Sequence, residues 1–141
     1  MKKRISLAVI AVILLTALDQ LVKYAIASNF AVGETKKLID GVFQLDYVQN
    51  RGAAWGSFSG KIVFLLIITC VILLASIYVY YRLAKRSDSK YTPLRISLVF
   101  LIAGAIGNMI DRIVRGYVVD MFDFCLINFP VFNVADIFVT C

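Results

Sequence analysis

Residues 62–81 read IVFLLIITCVILLASIYVYY, twenty residues without a charge between Lys61 and Arg82. At ~1.5 Å per residue such a helix reaches ~30 Å, the thickness of the hydrocarbon core of a bilayer. This run decides the fold class, because a helix apolar on every face belongs inside a membrane. Two further runs match it in length: 5–27, behind Met1-Lys2-Lys3-Arg4, and 96–114. A fourth apolar stretch occupies 132–141 and supplies only ~15 Å of helix, too little to span. The expectation is a single membrane domain over 1–141: an all-α four-transmembrane-helix bundle whose fourth helix is cut short.

Composition agrees. Of the 141 residues 61% are hydrophobic and 17% charged. An ordinary soluble domain has about 45–50% and about 25%. The chain has no histidine, which excludes Ser-His-Asp and Cys-His catalysis and histidine-held metal or haem. Cys70, Cys125 and Cys141 show no metal spacing and no disulfide framework. Neither a metal nor a cofactor is expected, and any chemistry must come from carboxylates, Lys, Arg, Ser, Tyr or Asn.

The net charge of +6 is placed for topology rather than for nucleic acid, which is not an expected partner. Eight of the fifteen Lys and Arg residues sit in two short blocks, 2–4 and 82–95, beside apolar runs. The second block has five bases against one acid, Asp88, whereas 28–60 has three of each. The positive-inside rule therefore puts the N-terminus and 82–95 in the cytoplasm, with 28–60 and 115–131 outside. Ala25-Ile26-Ala27 resembles a signal-peptide cleavage site, but Asp19 and Lys23 interrupt the approach to it and three apolar segments follow. The first run is therefore read as a retained helix.

The outer segment 28–60 carries its own signal. Asp40-Gly41 lies between apolar pairs, the mark of a two-residue hairpin, and Phe43, Leu45 and Tyr47 alternate with Gln44 and Asp46. A small extracytoplasmic β-element is expected there.

Ionisable groups inside spanning helices cost about 2.5–3.5 kcal/mol each on insertion scales, so they mark function by default. Asp19 lies ~21 Å along the first helix, Asp111 ~22 Å along the third, and Asp136 ~6 Å below the outer edge. Three segments thus place polar groups at one level, in the outer third of the bilayer. Asp19 and Lys23 are four apart on one helix face, a spacing that fits an ion pair with either a neutralising or a functional role. Gly104, Asn108, Arg112 and Arg115 form a stripe on the third helix, amid small residues that permit close helix approach. Asp111 and Arg112 point about 100° apart and need different partners, and Arg112 is the expected counter-charge for the site's carboxylates.

Asp120 follows a turn and a short extended run, and Asp136 opens the fourth helix. Two carboxyls at similar depth can share a proton and run aspartic-peptidase chemistry without histidine or metal. Spacing alone leaves a small proton or ion transporter, or a non-catalytic adaptor with Asp–Arg bridges, as alternatives. Asp123 is a rival to Asp120, nearer the loop.

Five blocks then sharpen the reading: Asp19-Gln20-Leu21-Val22-Lys23, Asn50-Arg51-Gly52-Ala53-Ala54-Trp55-Gly56, Gly104 to Arg112 (GAIGNMIDR), Gly116-Tyr117-Val118-Val119-Asp120 and Phe132-Asn133-Val134-Ala135-Asp136. In this order the chain resembles the bacterial signal peptidase II family, the lipoprotein signal peptidases, over essentially its whole length. The resemblance implies a multi-pass aspartic endopeptidase of the bacterial cell membrane. Such an enzyme removes signal peptides from prolipoproteins by cutting before a diacylglyceryl-modified cysteine. It implies Asp120 and Asp136 as the catalytic pair, supported by Asp19, Lys23, Asn50, Gly104, Asn108, Arg112, Asn133 and Ala135. It further implies four membrane helices with an outer β-cradle. Diacylglyceryl-prolipoproteins and membrane lipids are the expected partners of a monomer. Departures are mild: Arg51 after Asn50, Trp55 as the aromatic of its block, and Met121 where Phe is usual. The family's fourth helix continues past Asp136, which again points to a chain cut within it.

Overall fold

A computed structural model of the protein describes residues 1–52 and 60–141. Part of the Asn50–Gly56 block, from Ala53 onward, lies outside the described residues. The elements are α1 (Lys2–Asn29), β1 (Thr35–Ile39), β2 (Phe43–Asn50), α2 (Ile62–Ala84), α3 (Thr92–Val114), β3 (Val118–Phe124) and α4 (Val134–Thr140). A 3-10 turn at Ser89–Tyr91 leads into α3.

Among the described residues three helices are long and apolar enough to cross a membrane: α1, α2, and α3 together with its leading turn. Their outward faces carry large bare hydrophobics, among them Leu14, Leu21, Val63, Leu74 and Val114. Side chains of this kind face lipid rather than water. The fourth apolar stretch forms a helix of seven residues, starting two residues later than expected because Asn133 serves as its cap rather than its first turn. The other three helices extend beyond their expected bounds by two to four residues, except at Ile62 and Val114, where the expected bounds hold.

α3 is central, packed on α1, α2 and α4. The reason is compositional. Ala103, Gly104, Ala105 and Gly107 let neighbouring backbones come close. A Cβ on Gly104 would strike the carbonyl oxygen of Ala135 and come within 2.8 Å of the Val139 side chain. One on Gly107 would meet the Asp19 carboxylate at 2.5 Å. Leu73 of α2 closes an apolar cluster with Ile102 and Ala105 of α3.

At the basic end, Arg95 is buried and donates to the carbonyls of Asp88 (2.9 Å) and Tyr91 (3.2 Å), while Arg4 donates to that of Arg86 (2.6 Å). Arg4 and Arg95 thereby hold the 82–95 loop against α1 and α3.

A hairpin of antiparallel β1 and β2 forms at the Asp40-Gly41 signal, but its loop is three residues long, Asp40, Gly41 and Val42, rather than two, with a register irregularity between Lys37 and Ile39 and Gly41 in the left-handed region at φ +70°. The sheet is larger than the sequence indicated. β3 pairs antiparallel with β2, giving the order β1-β2-β3, with Asp120 opposite Val48. Gly116, at φ +74°, turns the chain from α3 into β3. Alternation along β3 then divides its side chains. Val119 and Met121 enter an apolar cluster with Ile26 of α1 and Tyr47 of β2, and Asp120 between them faces the other way.

Candidate active site

Asp120 is 2% exposed although it stands on a strand of a three-stranded sheet. Its Oδ1 accepts from Asn133 Nδ2 at 2.6 Å and its Oδ2 from Asn50 Nδ2 at 2.9 Å. Burial first, and then the charge of Asp136, push its carboxyl up to about 7, outweighing the opposing pull of Asn50, Asn133 and Lys23.

Asp136 arrives from a different element and is fixed by a different device. Asn133 caps α4: its side chain accepts from the Asp136 backbone N–H at 3.0 Å, and Asp136 Oδ2 accepts from the Asn133 N–H at 3.1 Å. This reciprocal capping box fixes the carboxylate where the helix begins. The remaining oxygen, Oδ1, accepts from Asn108 Nδ2 at 2.8 Å. Asn133 Nδ2 also reaches Asn108 Oδ1 at 3.1 Å. Two amides therefore join the carboxyl on β3 to the carboxyl on α4.

Behind them lies a buried ionic cluster. Lys23 Nζ is 3.0 Å from Asp19 Oδ2, 3.0 Å from Asp111 Oδ2 and 2.9 Å from Asn108 Oδ1. Lys23, Asp19 and Asp111 have no exposed side-chain surface. Three donors on one ammonium meet three acceptors, as burial of a charge requires. The expected Asp19–Lys23 pair is present, but it reaches out to α3 rather than closing on itself. Asp19 Oδ1 accepts from the Ala135 N–H at 2.9 Å. Among the described residues, no buried side-chain nitrogen or oxygen lacks a partner.

The structure thus brings together Asp19, Lys23, Asn50, Asn108, Asn133, Ala135, Asp120 and Asp136. Gly104 contributes by admitting the Ala135 backbone. Arg112 acts as a counter-charge through space, without a direct hydrogen bond to either carboxyl among the described residues. Among the described residues its guanidinium donates to the backbone carbonyls of Gly52 (3.3 Å) and Asn108 (3.5 Å) rather than to a carboxylate. It stays within electrostatic reach of Asp136 and Asp120, so its charge bears on them from a distance while its hydrogen bonds tie the end of β2 to α3. Asp111 and Arg112 do take different partners, as their 100° separation required. Asp123 is partnered by Gln44 Nε2 at 2.7 Å on the sheet, away from the network.

Three contributors escaped the sequence reading. Asp111 was seen as a buried charge but given no place in the site. Gln20 donates to Asp19, the Gly107 carbonyl and Asp111. Gly107 makes room for Asp19. The Asn-x-x-Asp spacing of 133–136 was a legible capping signal for Asp136.

Gly104→Ala is expected to cost about 1–3 kcal/mol by overpacking and to slow turnover, since the displaced segment carries Asp136. Thermal unfolding in detergent alongside kcat checks this. A variant matching the parent in both shows that the helix crossing has slack.

The comparisons agree with this geometry. The family model for Signal peptidase (SPase) II matches residues 10–141. A lipoprotein signal peptidase of Lactococcus lactis subsp. lactis (strain IL1403) is 44% identical over 137 residues, covering 97% of this chain and 87% of the relative. One from Streptococcus pneumoniae (strain ATCC BAA-255 / R6) is 42% identical over 140 residues, covering 99% and 88%. A bacterial membrane enzyme solved by the in meso method superposes with a TM-score of 0.85 at 34% identity, covering 96% of this chain and 82% of that one. A second such structure gives 0.82, at 34% identity and with 96% and 86% covered. The chain belongs to the signal peptidase II family.

Proposed function

We propose that this protein is an aspartic endopeptidase that removes signal peptides from prolipoproteins, cutting before the diacylglyceryl-modified cysteine, with Asp120 and Asp136 as its catalytic pair. One observation carries the assignment of the pair: two carboxyls from different elements, linked through Asn133 and Asn108, stand in front of a fully buried ionic cluster. Membership of the family supports the reaction. The transporter alternative gains no support from relatives that carry the name of lipoprotein signal peptidase.

Burial pushes the Asp120 carboxyl up to about 7, so a substantial share of it keeps its proton near neutrality, and Asp120 is assigned as the acid. Asp136 serves as the base. A water between them gives its proton to Asp136 as it attacks the scissile carbonyl, while Asp120 protonates the carbonyl oxygen; Asp136 then passes its proton to the leaving amine as the C–N bond breaks, and the collapsing diol returns a proton to Asp120. Asn133 and Asn108 keep the two carboxyls in register. Asp19, Lys23, Asn50, Gly104, Arg112 and Ala135 support them.

In the membrane, the N-terminus and 82–95 face the cytoplasm, α4 forms part of a fourth span, and the sheet rests at the outer surface. The site then lies near the outer leaflet, where the substrate's acyl chains stay in lipid while its peptide passes beneath the sheet. The lysine and arginine bias supports this orientation. The unit is one domain over 1–141, acting as a monomer.

The purified protein in detergent is expected to cleave a synthetic prolipopeptide immediately before a diacylglyceryl cysteine and to leave the unmodified peptide intact. An uncleaved lipidated peptide, with proton flux in proteoliposomes instead, overturns the reading.

The raised value of Asp120 also fixes a pH dependence. As the acid, it loses function on deprotonation, so kcat/KM is expected to fall as pH rises through about 7. Stability follows the same sign. The folded state binds this proton more tightly than the unfolded chain, whose carboxyl titrates near the ordinary 3.8, so the contribution of Asp120 is full below about 4 and declines between there and about 7. A rate that keeps climbing well above pH 7 takes the acid role away from Asp120.

A further inference from the structure

We infer that Asp111 is a positioning residue of the reaction, forming with Asp19 a two-jawed clamp on Lys23 that sets the separation of Asp120 and Asp136. The inference rests on reading those two aspartates as the catalytic pair.

The geometry has an internal symmetry. The residue immediately before Asp120 is Val119, and its backbone N–H donates to Asp111 Oδ2 at 3.1 Å. The residue immediately before Asp136 is Ala135, and its backbone N–H donates to Asp19 Oδ1 at 2.9 Å. Both receiving carboxylates are 3.0 Å from the same ammonium, that of Lys23. The backbone just ahead of each reacting group is therefore docked on one jaw, and one cation joins the jaws. Neither dock is a regular ladder bond. Gln49 stands opposite Val119 on β2, yet the Val119 N–H is turned to α3. Ala135 lies in the first turn of α4, where a backbone N–H has no partner inside the helix and takes Asp19 instead.

Asp111 is itself held from four directions. Oδ2 faces Lys23 and Val119, while Oδ1 faces Arg115 Nε at 3.4 Å and Gln20 Nε2 at 3.4 Å. A carboxylate so engaged has no freedom to approach a substrate. It also has no contact with Asp120 or Asp136 among the described residues, so it acts on the reaction only through the backbone it holds. Catalytic rate is steep in geometry: a misplacement of about 1 Å costs about 100-fold.

The test uses Asp111→Asn and Asp111→Glu in the full chain, assayed in detergent with the diacylglyceryl prolipopeptide. Asn keeps the shape but weakens the hold on Lys23. Glu keeps the charge but shifts the acceptor by one methylene. Both are expected to lower kcat about 10–100-fold while KM changes less than about twofold, because the clamp orients reacting groups and does not bind substrate. Thermal unfolding run in parallel identifies which variants are folded, and one folded variant suffices. Full kcat in either folded variant overturns the inference, as does a loss confined to KM. Failure of both to fold overturns it too, since Asp111 is then scaffold alone. Asp120→Asn in the same assay separates the two levels. If Asp120→Asn is inactive while the Asp111 variants keep full kcat, only the clamp fails. If Asp120→Asn is active, the catalytic pair itself fails.

Discussion

Asp120→Asn is expected to lower kcat by about 10³-fold or more, and Asp136→Asn to do the same, since positioned acid–base groups each contribute about 10²–10⁴-fold. Asn preserves the shape of either side chain. At Asp120 the amide oxygen keeps one of the two donors, Asn133 or Asn50, that the carboxylate now accepts. At Asp136 it keeps Asn108 or the Asn133 N–H. What Asn lacks is a proton to give or a charge to take one. The stability readout should diverge from the activity readout at Asp120. Its carboxyl is pushed up to about 7 by burial and by Asp136, so an ionised Asp120 is a burden to the folded protein above that pH. Asp120→Asn should therefore unfold no earlier than the parent at pH 8, while turnover is lost. Residual activity above about a tenth in either variant removes that residue from the chemistry. Inactivity with intact unfolding behaviour separates a chemical role from a structural one.

Lys23→Met carries the second large effect, on stability. Met matches the stem of Lys closely but brings no charge, and two fully buried carboxylates lose the cation between them. Breaking a buried ion pair from one side costs about 3–5 kcal/mol. Asn108 also loses one of the two donors on its Oδ1, keeping Asn133, so the amide bridge to Asp136 loosens and activity falls with stability. Adding Asp111→Asn to Lys23→Met should recover part of the lost stability, because one of the two orphaned charges is removed. Thermal unfolding of the single and double variants in detergent measures this as a coupling. Simple addition of the two losses means the groups do not interact as their distances indicate.

The legibility of the sequence divides by the range of the forces involved. Helices α1, α2 and α3 were readable because a predominantly apolar run of about twenty residues has one stable outcome in lipid. The β1–β2 hairpin was readable because Asp40-Gly41 carries its turn locally. The third strand was not. Pairing Val118–Phe124 with β2 joins residues some seventy apart, and nothing local in either strand encodes that register. The polar residues were readable as a set, and in the structure Asp19 meets the Ala135 N–H and Lys23 meets Asp111. How they connect was not readable. The sign of Arg112 predicted a role beside the carboxylates, which it fills through space, while among the described residues its hydrogen bonds go to two backbone carbonyls. Asn50 and Asn133 were named from the family pattern, while their donation to the two oxygens of one carboxyl became visible only in three dimensions.

The burial of Lys23 also bears on how the chain is built. A charge with no exposed surface, met by partners on α1 and α3, cannot reach its final environment until both helices are in the bilayer. During biogenesis α1 enters first and carries Asp19 and Lys23 together. The two neutralise each other four residues apart, which lessens the penalty of about 2.5–3.5 kcal/mol that each would face alone. Asp111 follows on α3 with Arg112 and Arg115 close behind it. Assembly keeps the pairs of Asp19 with Lys23 and of Asp111 with Arg115 and adds the contact of Lys23 with Asp111, which forms only where α3 lies against α1. A buried charged contact of this kind favours one helix pairing among the many that apolar surfaces alone would tolerate.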